Sequence, residues 1–154
     1  MTLAGVAAAL WAAWEARRNN DMTPEPPNSV VVTSPQAADG CALVAKGQTL
    51  ELKGTAKLAT GMTLWEVTQA SGDNKLWPGP IAQMDADGRS WSMTVASIGA
   101  DGDKDRRFNL LLIAADPNAA PELRAAASAT DYAPLAKLPE GTDVLGEVCV
   151  KRSS

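Results

Sequence analysis

From Val30 onward, apolar and polar residues alternate with a period of two, in short runs broken by glycine, proline and aspartate. That pattern constrains the fold more than any other feature. Successive side chains along a strand point to opposite faces, so alternation builds half-buried strands and cannot build the continuous apolar stripe of a helix. Residues 48–57 carry it most clearly: Leu50, Leu52, Gly54 and Ala56 fall on one face, and Glu51, Lys53 and Thr55 on the other. Residues 89–97 turn Trp91, Met93 and Val95 one way and Ser90, Ser92 and Thr94 toward solvent. In residues 62–69, Trp65 and Val67 share one face while Met62, Leu64 and Glu66 share the other. Residues 108–115 are almost wholly apolar, which predicts the most central strand, covered on both faces. Val30, Val31 and Val32 open a first strand that Ser34 and Pro35 stop. Residues 142–151 close the series, with Val144, Val148 and Val150 expected on one face.

Only residues 118–128, rich in alanine, leucine, glutamate and arginine, read as a helix in this region. One helix among six or so strands is too few for the crossovers of a parallel sheet. The expected class is therefore mainly β: an immunoglobulin-like antiparallel β-sandwich over residues 30–152, with one α-helix inserted before the last strand. A chain of 154 residues has room for one such domain.

Composition then narrows the chemistry. There is no histidine, so the usual neutral-pH general base and the commonest zinc and haem ligand are missing. A net charge of −4 and seven aromatic residues, five Trp, one Tyr and one Phe, argue against a nucleic-acid partner. No Gly-x-Ser-x-Gly, Ser-x-x-Lys, Walker or dinucleotide glycine pattern occurs. Carboxylates are plentiful, yet nothing in their spacing gathers two into one cleft. No cofactor is expected, and the chain does not read as an enzyme.

Ahead of the domain, residues 1–14 are apolar apart from Thr2, and Glu15, Arg17 and Arg18 end the run. A helix of that length reaches about 21 Å, short of the roughly 30 Å hydrocarbon core of a bilayer. Trp11 and Trp14 stand at the polar boundary, where tryptophan marks membrane interfaces. Residues 1–18 thus read as an N-terminal apolar helix, either part of a membrane anchor or an alanine-rich helix packed on the domain. Residues 19–29, with Pro24, Pro26 and Pro27, read as a semi-rigid linker.

Cys41 follows the first strand and Cys149 lies in the last. First and last strands are often neighbours in a sandwich, so the pair is placed for a disulfide; two buried free thiols are the alternative. A bridge would put the domain outside the cytoplasm. Asp101, Asp103 and Asp105 are spaced like the opening of a calcium loop. Arg106 then occupies the glycine position and Leu112 the position of the closing glutamate, so a solvated hairpin loop competes with the metal site. Asp85 and Asp87-Gly88 read as a turn before the Trp91 strand. Trp65 and Trp91 are expected in the core. Trp77, in the Leu76-Trp77-Pro78-Gly79-Pro80 segment, is the candidate binding contact.

The order Val32-Thr33-Ser34-Pro35, Asp39-Gly40, Leu52-Lys53-Gly54-Thr55-Ala56, Leu64-Trp65, Trp77-Pro78, Asp87-Gly88 with Trp91, Ile98-Gly99, Phe108 to Ala114, and Leu138-Pro139-Glu140-Gly141 resembles an uncharacterised group of actinobacterial membrane-anchored proteins. The resemblance implies an anchor, a short linker and an extracytoplasmic immunoglobulin-like domain; the apolar segment here is shorter than such an anchor. The expected function is a non-enzymatic binding or interaction module at the cell membrane, with a protein or cell-envelope partner. A structural part of a surface or secreted assembly and a glycan-binding domain are the alternatives.

Overall fold

A computed structural model describes residues 27–36, 40–130 and 132–154. The helix expected over residues 1–18 and most of the linker over 19–29 lie outside them. Among the described residues no helix is long and apolar enough to cross a membrane.

Nine strands and one helix form the described fold: β1 (Ser29–Ser34), β2 (Cys41–Val44), β3 (Leu50–Lys57), β4 (Thr63–Ala70), β5 (Trp77–Ile81), β6 (Gln83–Met84), β7 (Ser90–Val95), β8 (Arg107–Ala115), α1 (Ala120–Ser128) and β9 (Thr142–Arg152). The strands make two sheets, in the orders β1-β3-β7-β6 and β2-β9-β8-β4-β5. The protein is mainly β, as the alternation predicts. Its pairing is not wholly antiparallel, because β2 runs parallel to β9. Three strands, β2, β5 and β6, escape the sequence reading. They are short or carry Pro78, Gly79 and Pro80, so they show no run of alternation long enough to register.

The alternation of β3 and β7 turns Leu52, Ala56, Trp91, Met93 and Val95 onto a core shared with Leu64, Leu110, Leu112, Val148 and Val150 of the other sheet. The two sheets therefore face each other across one apolar layer. Gly54 is needed there: a Cβ would meet the Val31 carbonyl oxygen at 1.9 Å and the Trp91 ring at 2.9 Å. Strand β8 sits at the centre of its sheet between β9 and β4. Its second face, Leu111, Ile113 and Ala115, packs with Trp65 and Val67 beneath Ala119, Ala120 and Leu123 at α1. Covering on both faces is what its unbroken apolar run predicts. Asp116 starts the helical segment by accepting the Asn118 and Ala119 N–H groups at 2.9 and 2.8 Å.

Val144 departs from expectation. It is 51% exposed, whereas Val148 and Val150 are buried. Leu112 pairs with Gly146 and Ile113 with Val144, so Leu145 is an extra residue that shifts the alternation of β9. Leu145 takes the inward position and packs on the shared core.

Candidate functional site

Strand β4 carries the central group. Its inward-facing positions include Leu64, and the next residue on that face, Glu66, is only 1% exposed. Opposite it, the pairs Trp65–Ile81 and Val67–Pro78 leave two residues of β5, Gly79 and Pro80, against the single Glu66. The bulge and the absent side chain of Gly79 make room for the carboxyl group: a Cβ at Gly79 would lie 1.9 Å from Oε2. Thr68 Oγ1 donates to Oε1, while Oε2 has no hydrogen-bond partner among the described residues. Burial raises this carboxyl to a pKa of about 8, against the opposing effect of the Thr68 bond. Glu66 is accordingly neutral at pH 7.

Glu66 belongs to the wall of a cavity of about 810 Å3, within the size range of small-molecule sites. The cavity lies between the β5 edge and the β7–β8 connection. Its apolar lining includes Ala70, Val95, Ile98 and Phe108, and Trp77 and Tyr132 belong to the same wall. The two rings lie 5.2 Å apart between centroids, tilted by 34°. The Tyr132 hydroxyl donates to the Pro78 carbonyl oxygen, which ties the segment after α1 to β5. Partial burial, reinforced by the nearby Glu66, raises the tyrosine pKa.

The remaining charged groups of the wall are Asp73, Lys75, Asp103 and Arg106. Arg106 bonds Asp103 at 3.1 Å and stands 4.0 Å from Asp73. The Ala100 N–H, 2.7 Å from its carboxylate, holds Asp103 below the ordinary range, with Arg106 and Arg152 adding to the effect. Arg152 is almost wholly buried, and its Nη1 donates to the Ile98 carbonyl at 2.6 Å. This braces the β7–β8 connection that forms one side of the cavity.

Trp77, the one ligand contact expected from sequence, thus lies on this wall, half-buried on the edge strand. Trp65 and Trp91 are buried in the core. The alternation of β4 places Glu66 on the face of Leu64 without marking it as functional, and nothing in the sequence marks Tyr132. An acidic residue at an inward position of a strand apolar on both faces was the available clue. Three carboxylates, Glu66, Asp73 and Asp103, also meet on one cavity although nothing in their spacing gathers them.

Asp101, Asp103 and Asp105 go to different partners. Asp101 pairs with Lys46 at 2.7 Å, Asp103 with Arg106, and Asp105 approaches Lys151 at 3.9 Å. Each carboxylate is drawn to a different cation, and no group of three acidic, histidine or cysteine residues converges on a metal position among the described residues. The segment is not a hairpin either, since β7 and β8 belong to different sheets. Asp87 does make the expected turn, accepting the Arg89 and Ser90 N–H groups at 2.8 Å between β6 and β7.

At the opposite edge, Cys41 and Cys149 are bridged. They stand in direct register across the parallel pair β2–β9, with Cα atoms 4.5 Å apart. A disulfide fits an oxidising environment. No protein-family model matches the chain, and no curated protein matches it either.

Proposed function

We propose that this chain is an extracytoplasmic binding module with an immunoglobulin-like domain, tethered at the membrane by its apolar N-terminal segment. The fold reading is supported by the strand orders, which correspond to the four-strand and extended sheets of immunoglobulin domains. The bridge differs from the inter-sheet disulfide of antibody domains, because it joins neighbours within one sheet. That bridge supports an oxidising location, and the apolar residues 1–14 support the tether.

Binding is carried by one observation: a cavity of about 810 Å3 that combines apolar walls, paired aromatic rings and a buried carboxyl group. Catalysis has less support, since Asp73 and Asp103 are both drawn to Arg106 rather than set opposite Glu66 as an acid–base pair. The test is ligand-observed NMR on the full chain with a panel of aryl amines, aryl alcohols, short carboxylates and monosaccharides. At least one class is expected to give saturable signals that Trp77→Ala removes and Val144→Thr preserves. Signals from sugars alone would turn the reading to glycan recognition; silence from every class would overturn it. Membrane tethering predicts that the full chain partitions into detergent, and recovery as a detergent-independent soluble species would refute that part.

A further inference from the structure

We propose that the Glu66 cavity recognises a monocationic amine with an apolar body, the ammonium group pairing with the Glu66 carboxylate beside Trp77 and Tyr132. This rests on the binding reading above and names the ligand class.

The first argument is hydrogen-bond satisfaction. Oε1 is engaged by Thr68, whereas Oε2 is buried and has no partner among the described residues. A buried carboxyl oxygen without a partner is costly, and an N–H donor from a ligand removes that cost. Charge adds a second argument. The titratable and charged groups on the wall come from every element around Glu66: Asp73 and Lys75 from the β4–β5 turn, Asp103 and Arg106 from the β7–β8 connection, and Tyr132 after α1. Arg106 already serves Asp103 and Asp73. Arg152, buried behind this wall, acts on Asp103 as well, so both arginines are engaged away from Glu66, and an ammonium supplies the charge partner that an ionised Glu66 lacks among the described residues. Ring chemistry is the third. Trp77 and Tyr132 stand on the same wall as Glu66, with ring centroids 5.2 Å apart, and aromatic π-faces attract cations. The walls at Ala70, Val95, Ile98 and Phe108 suit an apolar body.

A distinct pH signature follows. The empty cavity keeps Glu66 protonated up to about pH 8, so an ammonium must displace that proton. Affinity then rises by about tenfold per pH unit below 8 and levels off above it. A neutral acceptor bound by the protonated acid would show the reverse.

The experiment titrates the full chain with 2-phenylethylammonium, 2-phenylethanol and 3-phenylpropanoate by calorimetry at pH 6 and pH 9. The ammonium is expected to bind at least tenfold tighter than the other two at pH 9. Its affinity should fall on the order of a hundredfold at pH 6, with about one proton released per ligand there. Glu66→Gln should lose at least tenfold for the ammonium and little for the alcohol; the pH profile of the unaltered chain gives the same answer without a substitution. Equal or better binding of the alcohol or the carboxylate, or an affinity that does not rise with pH, overturns the cation assignment and leaves the cavity a binding site. No heat from any of the three probes overturns the assignment, and it overturns the binding reading as well when the monosaccharides of the NMR panel are also silent.

Discussion

The two edges of the five-stranded sheet solve the same problem in opposite ways. At the β2 edge, a four-residue strand pairs in parallel with β9 and is cross-linked through Cys41 and Cys149. A cavity of about 140 Å3 lies there, beside Val32, Pro35 and Cys149. At the β5 edge the strand carries Pro78 and Pro80, which cannot donate to a ladder, and a bulge opposite Glu66. A cavity of about 810 Å3 results. One edge is closed by a covalent bond; the other keeps volume and a buried carboxyl group whose Oε2 has no hydrogen-bond partner among the described residues. An edge that must stay open cannot be sealed by regular pairing, so its residues depart from strand-like sequence.

The comparison is broken most decisively at Glu66. Its carboxyl is protonated in both folded and unfolded chains below about pH 4.5; between there and about pH 8 only the unfolded chain ionises, and stability is lost. Above pH 8 the loss is constant, on the order of 5 kcal/mol. Denaturant titrations of Glu66→Gln and the unaltered chain should coincide in pH dependence below pH 4 and diverge by that amount toward pH 9. Parallel profiles would show that the carboxyl is not desolvated.

Next in size is the bridge, which closes a separation of 108 residues. Replacing both cysteines by alanine should cost up to about 4–5 kcal/mol by denaturant unfolding. Because Glu66 on β4 and the β2–β9 bridge lie on strands separated by β8, that loss should add to the Glu66→Gln effect within about 0.5 kcal/mol. A larger coupling would mean that the edges communicate.

Gly79→Ala is expected to destabilise by about 1–3 kcal/mol, since the new methyl group lands on Glu66 Oε2. In a Glu66→Ala background the same substitution should cost at least about 1 kcal/mol less. An unchanged cost would assign Gly79 to backbone conformation instead. Smallest is Tyr132→Phe, which removes the donor to the Pro78 carbonyl and should cost about 1 kcal/mol. It should also leave the β2 edge unaffected, as judged by the rate at which the disulfide is reduced.

Much of the framework was legible because alternation acts locally. The inward faces of β3 and β7, the double covering of β8, the helix before the last strand and the burial of Trp65 and Trp91 all follow from which residues are apolar and how they are spaced. The Cys41–Cys149 pair was legible, but not for the reason of first and last strands being neighbours: β1 lies in the other sheet, and it is β2 that brings Cys41 beside Cys149. What failed were features that depend on a partner. The extra residue at Leu145 turned Val144 outward through its register with β8. The Asp101, Asp103 and Asp105 spacing suggested convergence, but Lys46, Arg106 and Lys151 come from three places to draw the carboxylates apart.

By itself, the sequence determined a β-rich chain, the faces of β3, β4 and β7, and a chemistry without histidine. Those properties depend on side-chain periodicity and residue type, which need no distant contact. Only the tertiary structure decided that Glu66, Trp77 and Tyr132 share one wall. A carboxyl group at an inward position looks the same in sequence whether it reaches water, a cation or an apolar cavity. Its environment is set by a bulge on β5, the missing Cβ of Gly79 and a tyrosine 66 positions further along the chain, and the raised proton affinity exists only once those three are folded around it.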